Sequence, residues 1–432
     1  MSRLRSLLCV CFVMLMAGQV SLRAQGPQAA SVVAVRAGRL FDTQTGKLLN
    51  NQIVLVQGDR IEDVGPADQV KIPAGAKVID LSHATLLPGL TDAHAHIFNV
   101  LTPAERINTS REAWALLALH EAQTDLRAGF TTLREMNTHA EGYGDVAVRN
   151  AIERGLFEGP RMQITTRGIG TGTKFMGVPG ITLPAMTQNV TGVGAARAAV
   201  REQIHYGADW IEIFEDGPHT FSPTGQIWVA PTFTLAEVEA IVDEAHRLHH
   251  KVSCDAFGGE GLKDCIVAGV NSIEHGQDMS DADMTMMVQK GIYWDPTLYR
   301  YCMPVAVDHD MALSGGKNSL CALGKIAFRA GLAKGVKIAF GSGVDGHPYV
   351  HGTQWTQFQA LVQDGMTPLQ AIEASVKTDP EMMGWQNQVG SIQKGYYADM
   401  IAVPGNPLQD ITQIKDVEFV MKGGKVIRND VN

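Results

Sequence analysis

Eight short β-type runs, at residues 86–94, 131–134, 161–165, 210–214, 251–255, 272–274, 292–295 and 336–341, recur along the middle of this chain. Between several of them lie stretches with apolar residues at helical spacing, such as 235–249 and 319–334. Strand and helix alternating over about 300 residues restrict the chain to a parallel α/β architecture, and the expected fold is a (β/α)8 barrel with its site at the carboxyl ends of the strands. A doubly wound open sheet is the alternative, but no Gly-x-Gly-x-x-Gly follows the first strand. At 432 residues, 45% hydrophobic and 19% charged, the chain holds enough apolar material for a barrel-sized domain and a smaller one.

The flanks have a different texture. Short β-rich runs at 31–35 and 52–56 are punctuated by Gly38, Gly58, Gly65, Pro66 and Pro73, and the same pattern returns at 398–403 and 418–428, with Gly405-Asn406-Pro407 and Gly423-Gly424 as turns. The expectation is one small β-sandwich built from both ends, 30–85 and 391–432, around a barrel at 86–390. Two unrelated edge hairpins are the alternative. Ahead of this, Arg3 and Arg5 precede an apolar run at 7–17 too short to span a bilayer, and Leu22-Arg23-Ala24 offers a cleavage site. Residues 1–25 therefore read as an export signal, which places the mature chain in the periplasm or outside the cell, with an uncleaved anchor as the alternative. Cys254, Cys265, Cys302 and Cys321 then remain. Four cysteines in so long a chain are no disulfide framework, and a single bridge is what export allows.

A net charge of −9 and no basic run exclude nucleic acid as a partner. A small-molecule substrate is expected instead, without stable membrane insertion once the leader is gone, and self-association is left open. The chemistry collects at strand ends. His94 and His96 close the first run, and residues two apart on a strand face the same side, so their imidazoles converge on one divalent cation. Glu212 lies in the fourth run, Asp255 ends the fifth, His275 closes the sixth and Asp345 follows the eighth. A barrel points all of them at one cavity.

The chain resembles the amidohydrolase superfamily, in particular its imidazolonepropionase-like and prolidase-like branch. The resemblance rests on Pro-Gly-Leu-Thr-Asp-Ala-His-Ala-His at 88–96, Ala-Gly-Phe-Thr-Thr-Leu-Arg at 128–134, Gly-Asp-Val-Ala at 144–147, Gly-Ala-Asp-Trp-Ile at 207–211, Ser-Ile-Glu-His-Gly at 272–276, Met-Thr-Pro-Leu-Gln-Ala-Ile at 366–372, Gly-Ser-Ile-Gln-Lys-Gly-Tyr-Tyr-Ala-Asp at 390–399 and Gly-Asn-Pro-Leu-Gln-Asp-Ile at 405–411. It implies a metal-bearing barrel with a flanking β-sandwich and hydrolysis of amide, lactam or dipeptide C–N bonds.

The departures from the family pattern are as specific as the matches. Glu212 stands where the family carries a carboxylated lysine between two metals, and Asp255 stands where it carries a histidine. Both remain anionic oxygen ligands, and Asp255, harder than imidazole, favours Mn, Fe or Mg over Zn, the family's usual ion. On strand eight, counting forward puts the family's aspartate, ligand and proton shuttle, at Gly343, whereas counting backward from His351-Gly352 puts it at Asp345. A bulge reconciles the two. The resemblance thus implies one or two divalent ions held by His94, His96, Glu212, Asp255 and His275, with Asp345 moving the proton. A barrel that has lost its hydrolytic site and survives as a binding or structural protein is the competing reading.

Overall fold

The structure is a computed structural model that describes residues 32–139, 141–171 and 187–431, so the expected leader at 1–25 lies outside the described residues. Strands Leu90–Ala95, Phe130–Glu135 and Arg161–Ile164 form one parallel sheet. Trp210–Phe214, Lys251–Gly258, Ser272–Asp278, Tyr293–Asp295 and Lys337–Ile338 follow one another in a second parallel sheet. Backbone hydrogen bonds join the two sheets at both margins. Asp209 N–H donates to the Ile164 carbonyl at 2.9 Å on one side, and on the other Ala93 donates to Phe340 at 2.9 Å, Gly343 to His94 at 2.8 Å and His96 to Val344 at 2.9 Å.

Helices occupy most of the intervals between these strands, and their sequences explain their ends. Leu235–Arg247 starts at Thr234, whose hydroxyl and Glu237 form a reciprocal capping box, and it buries Val238, Ile241, Val242 and Ala245 at helical spacing. Leu320–Lys334 starts at Ser319, which accepts from Ala322 N–H, and stops at Gly335 in the left-handed region. Their apolar faces join the strand side chains in one continuous core that includes Ile211, Val252, Ile273, Trp294 and Phe328.

Both chain ends enter a single seven-stranded mixed sheet, ordered Lys425–Asn429, Phe419–Lys422, Met400–Val403, Lys77–Pro88, Val33–Asp42, Lys47–Gln57 and Arg60–Pro66. Val35, Val54, Leu86, Met400 and Phe419 pack together on it. The run expected as one strand at 86–94 is in fact two. Pro88 pairs with Met400 in the terminal sheet and Leu90 pairs with Phe130 in the parallel sheet. Gly89 makes the transition, because a Cβ there would lie 2.1 Å from Thr131 Oγ1.

Two further features depart from expectation. A hairpin, Asp216–Phe221 against Ile227–Pro231, follows the Trp210–Phe214 strand. The four cysteines form two bridges instead of one, Cys254–Cys265 and Cys302–Cys321. The first is possible because the helix Gly259–Ala268 folds directly back on the Lys251–Gly258 strand, a proximity that an eleven-residue separation does not reveal. Among the described residues no helix is long and apolar enough to cross a membrane.

Candidate active site

The strand Leu90–Ala95 delivers His94 and His96 to the same side, with their Nε2 atoms 3.1 Å apart. His94 Nδ1 lies 2.9 Å from Glu274 Oε2 and 3.8 Å from Asp295 Oδ2. His96 Nδ1 meets the Met136 carbonyl and, at 3.1 Å, His139 Nε2. An ionised carboxylate and a carbonyl only accept, so Nδ1 of each ring carries the proton and the two Nε2 atoms turn lone pairs toward one another. Facing lone pairs repel, and a cation between them converts that repulsion into two bonds, the usual pattern of metal-binding histidines held from behind by acceptors. Burial lowers the pKa of both rings, only partly opposed at His94 by Glu274 and reinforced at His96 by the neighbouring His139 and His94. Both are therefore held in the neutral form that ligates.

His275 comes from the Ser272–Asp278 strand, its ring centroid 5.0 Å from that of His94. Thr297 Oγ1 lies 2.7 Å from its Nδ1, and Asp255 Oδ2 lies 3.5 Å from its Nε2. The residue sits at φ 74°, followed by Gly276 at 61°, and Trp294 Nε1–H donates to its carbonyl at 2.8 Å. That turn coincides with a register shift in the pairing, which passes from Ala256 opposite His275 to Gly258 opposite Asp278. Phe257 stacks on the ring at 5.5 Å and Tyr301 meets it edge-on at 5.2 Å. Asp255 is the register partner of Glu274, so the fifth and sixth strands present their functional groups at one level.

Glu212 is buried on the Trp210–Phe214 strand, two residues below Phe214, the register partner of Asp255. Its Oε2 accepts from Thr165 Oγ1 at 3.1 Å. Its charge adds to the burial that holds Glu135 well above the ordinary carboxylate range. Asp345 follows the eighth strand and is also buried. Its Oδ2 accepts from Arg300 at 3.1 Å and 2.7 Å through two nitrogens. Burial raises the Asp345 pKa, an effect that Arg300 only partly offsets. The structure thus gathers His94, His96, His275 and Asp255 in a chain of close contacts, while the described contacts of Glu212 run to Thr165 and those of Asp345 to Arg300.

Several residues around the site were not singled out from the sequence. Arg134 is wholly buried and donates to the Ala93 carbonyl at 2.6 Å, Ser272 Oγ at 3.1 Å and Glu274 Oε1 at 2.8 Å, with its guanidinium 4.6 Å from the centre of the Trp210 ring. Burial pushes the Glu274 carboxyl up, but Arg134 and the bond to His94 outweigh it and hold Glu274 ionised. Asp295 is pushed well above its usual range by burial and by Glu274. His94, Glu274 and Asp295 are close enough to form a ligand cluster in their own right. Arg134 and Glu274 both lie inside quoted motifs, yet 140 residues separate them and nothing local announces their pairing.

Residues 85–427 match the model of the amidohydrolase family. The chain belongs to that family. It is 28% identical to an ochratoxinase of Aspergillus niger over 92% of this chain and 87% of that protein. It is 24% identical to an imidazolonepropionase of Micrococcus luteus over 82% and 88%. Among solved structures, a Xaa-Pro dipeptidase with methionine bound in its active site superposes with a TM-score of 0.82 at 31% identity, covering 92% of this chain and 99% of that one. The family and these relatives make the protein a hydrolase acting on carbon–nitrogen bonds.

Proposed function

We propose that the mature chain is an exported, metal-dependent hydrolase that cleaves the amide bond of a small, dipeptide-like substrate. The observation that carries this reading is the pair of Nε2 atoms of His94 and His96, 3.1 Å apart with their protons fixed on the far nitrogens, next to His275 and Asp255. The eight parallel strands, hydrogen-bonded at both margins, support a closed (β/α)8 barrel with the terminal sheet as its small β-sandwich companion. Two disulfides support an oxidising compartment. Similarity to a Xaa-Pro dipeptidase supports the substrate class.

His94, His96, His275 and Asp255 would hold a divalent cation, with Glu212 serving a second, and such an ion would supply Lewis acidity toward the scissile carbonyl and a water of lowered pKa. The oxygen ligands Asp255 and Glu212 extend the candidate ions from zinc to manganese and iron. Glu274 and the Met136 carbonyl keep both imidazoles in the ligating tautomer. Asp345 carries the proton. Its Oδ2 is occupied by Arg300, whereas its buried Oδ1 has no hydrogen-bond partner among the described residues and is the oxygen placed to accept from water and return the proton to the leaving nitrogen. Burial raises the pKa of this carboxyl, which makes it a stronger base than an exposed aspartate.

The test is metal analysis of protein purified with zinc and manganese supplied, alongside hydrolysis of Xaa-Pro dipeptides. One or two ions per chain are expected, lost in the His94→Ala, His96→Ala double variant together with activity. Protein that takes up no metal and hydrolyses nothing would overturn the proposal and favour a barrel retained for binding.

A further inference from the structure

A second group of potential ligands lies away from the residues discussed so far. His219 projects from the hairpin strand Asp216–Phe221, and His309 and Asp310 from the helix Pro304–Leu313. His219 Nε2 is 2.9 Å and His309 Nδ1 3.4 Å from the same oxygen, Asp310 Oδ1. One ligand atom from each residue lies within 4.8 Å of the other two. The other carboxylate oxygen, Asp310 Oδ2, is taken by the Leu320 N–H at 2.8 Å, which fixes the carboxylate so that Oδ1 faces the imidazoles. Asp310 is buried while the His309 side chain is 65% exposed, so the group is anchored at its base and open to solvent at its rim. Phe221 and Phe257 flank the His219 ring at 5.7 Å and 5.6 Å and restrict it to its present orientation.

We infer that His219, His309 and Asp310 form a second cation site, for a borderline first-row divalent ion such as zinc, that fastens the hairpin to the helix beside the active site. Two imidazoles and one carboxylate, with a further position open to water, are a common zinc donor set. The nitrogen donors favour zinc, nickel, cobalt or copper over calcium and magnesium, which want oxygen. The surroundings give the site a purpose. The hairpin already holds the segment after the helix through Lys317 Nζ on the Pro223 carbonyl and Asn318 Nδ2 on the Gly225 carbonyl at 2.9 Å, and the Cys302–Cys321 bridge ties the residue just before the helix to the Leu320–Lys334 helix. A cation on His219 adds a third fastening, from within the hairpin strand itself. It also acts on the active site, because Phe257 packs against His219 on one side and His275 on the other. Immobilising His219 therefore steadies the aromatic wall of the principal site.

The experiment compares zinc content by equilibrium dialysis against zinc chloride for wild type, His309→Ala and His219→Asn, each also in the His94→Ala, His96→Ala background. It adds hydrogen exchange of the hairpin, residues 216–231, with and without zinc. His309 is exposed and its loss leaves the fold intact. Each single variant should hold one zinc fewer than its own background, whether or not the principal site binds metal, and zinc should slow exchange in the hairpin only where His219 and His309 are both present. Equal zinc content in wild type and both variants would overturn the inference and leave the three residues as a hydrogen-bonded clasp. Zinc loss without a change in hairpin exchange would overturn its fastening role.

Discussion

Replacing Arg134 with methionine removes a buried cation of similar length and leaves the Glu274 carboxylate buried without its main counter-charge. The guanidinium also satisfies the Ala93 carbonyl and Ser272 Oγ, so the loss is more than one ion pair. Breaking a buried pair by removing one partner typically costs about 3–5 kcal/mol. The upper part of that range is expected here, since the Ala93 carbonyl is orphaned next to His94. Burial would then push the Glu274 carboxyl up, toward taking a proton. His94 would then lose the anion behind its Nδ1–H and bind a cation about 10–100-fold more weakly, the usual effect of losing such support. Urea unfolding measures the first effect and competition with a metal chelator the second. The double variant Arg134→Met, Glu274→Gln is the control: with no lone buried charge left, it should be less destabilised than the two single losses summed. Stability within about 1 kcal/mol of wild type, or strict additivity in the double variant, would refute the account of Arg134 as the counter-charge that keeps Glu274 ionised.

Asp345→Asn keeps the shape but removes the base, so turnover should fall on the order of 100-fold or more while metal content stays near wild type; unchanged turnover would move the proton carrier elsewhere. Gly341→Ala places a Cβ 1.6 Å from Asp295 Oδ2, a buried carboxylate that cannot swing away, and destabilisation of about 1–3 kcal/mol or failure to fold is expected, read by thermal unfolding against a Gly194→Ala control whose Cβ meets nothing and whose backbone is not left-handed. Glu215 is pushed up to about 9 by burial, so the folded state keeps a proton there that the unfolded chain releases near 4.5. Its contribution is present below 4.5 and is lost as pH rises from 4.5 toward 9, so Glu215→Gln should flatten the fall of Tm with pH across that window; parallel pH profiles would show that Glu215 does not titrate in the folded state.

What the sequence displayed was local. The β-type runs located the parallel strands to within a few residues, and the apolar spacing over 235–249 and 319–334 located two of the helices, because each depends on neighbours along the chain. The His-x-His spacing gave the paired imidazoles for the same reason. The break at Gly89 was invisible because Leu86 to Leu90 is uniformly apolar, and only the approach of Thr131 makes the glycine necessary. The hairpin after the fourth strand was missed because Pro218 interrupts its first strand. Long-range polar pairs had no signal at all. Arg134 with Glu274, Arg300 with Asp345 and His219 with Asp310 are set by how the strands and helices are assembled, and each residue alone resembles an ordinary charged position.

The eighth strand shows how such assembly bears on chemistry. The two ways of counting along it offered Gly343 or Asp345, equivalent only if the segment stays extended. It does not: Gly343 sits at φ 68° while its N–H donates to the His94 carbonyl, and pairing resumes one residue later between Ala95 and Val344. A side chain at 343 would need the left-handed conformation, at roughly 1–2 kcal/mol for most residues. It would also press to 3.3 Å from Thr297 Cβ and 3.4 Å from Arg300 Cβ. Asp345 meets the same Arg300 through its guanidinium. The side-chain position at 343 and the carboxylate two residues on thus both border Arg300, one at its Cβ and the other at its guanidinium. On the proposed role of Asp345, glycine at 343 suits a carboxylate at 345, because a Cβ at 343 would press on Thr297, which supports His275, and on Arg300, which holds Asp345.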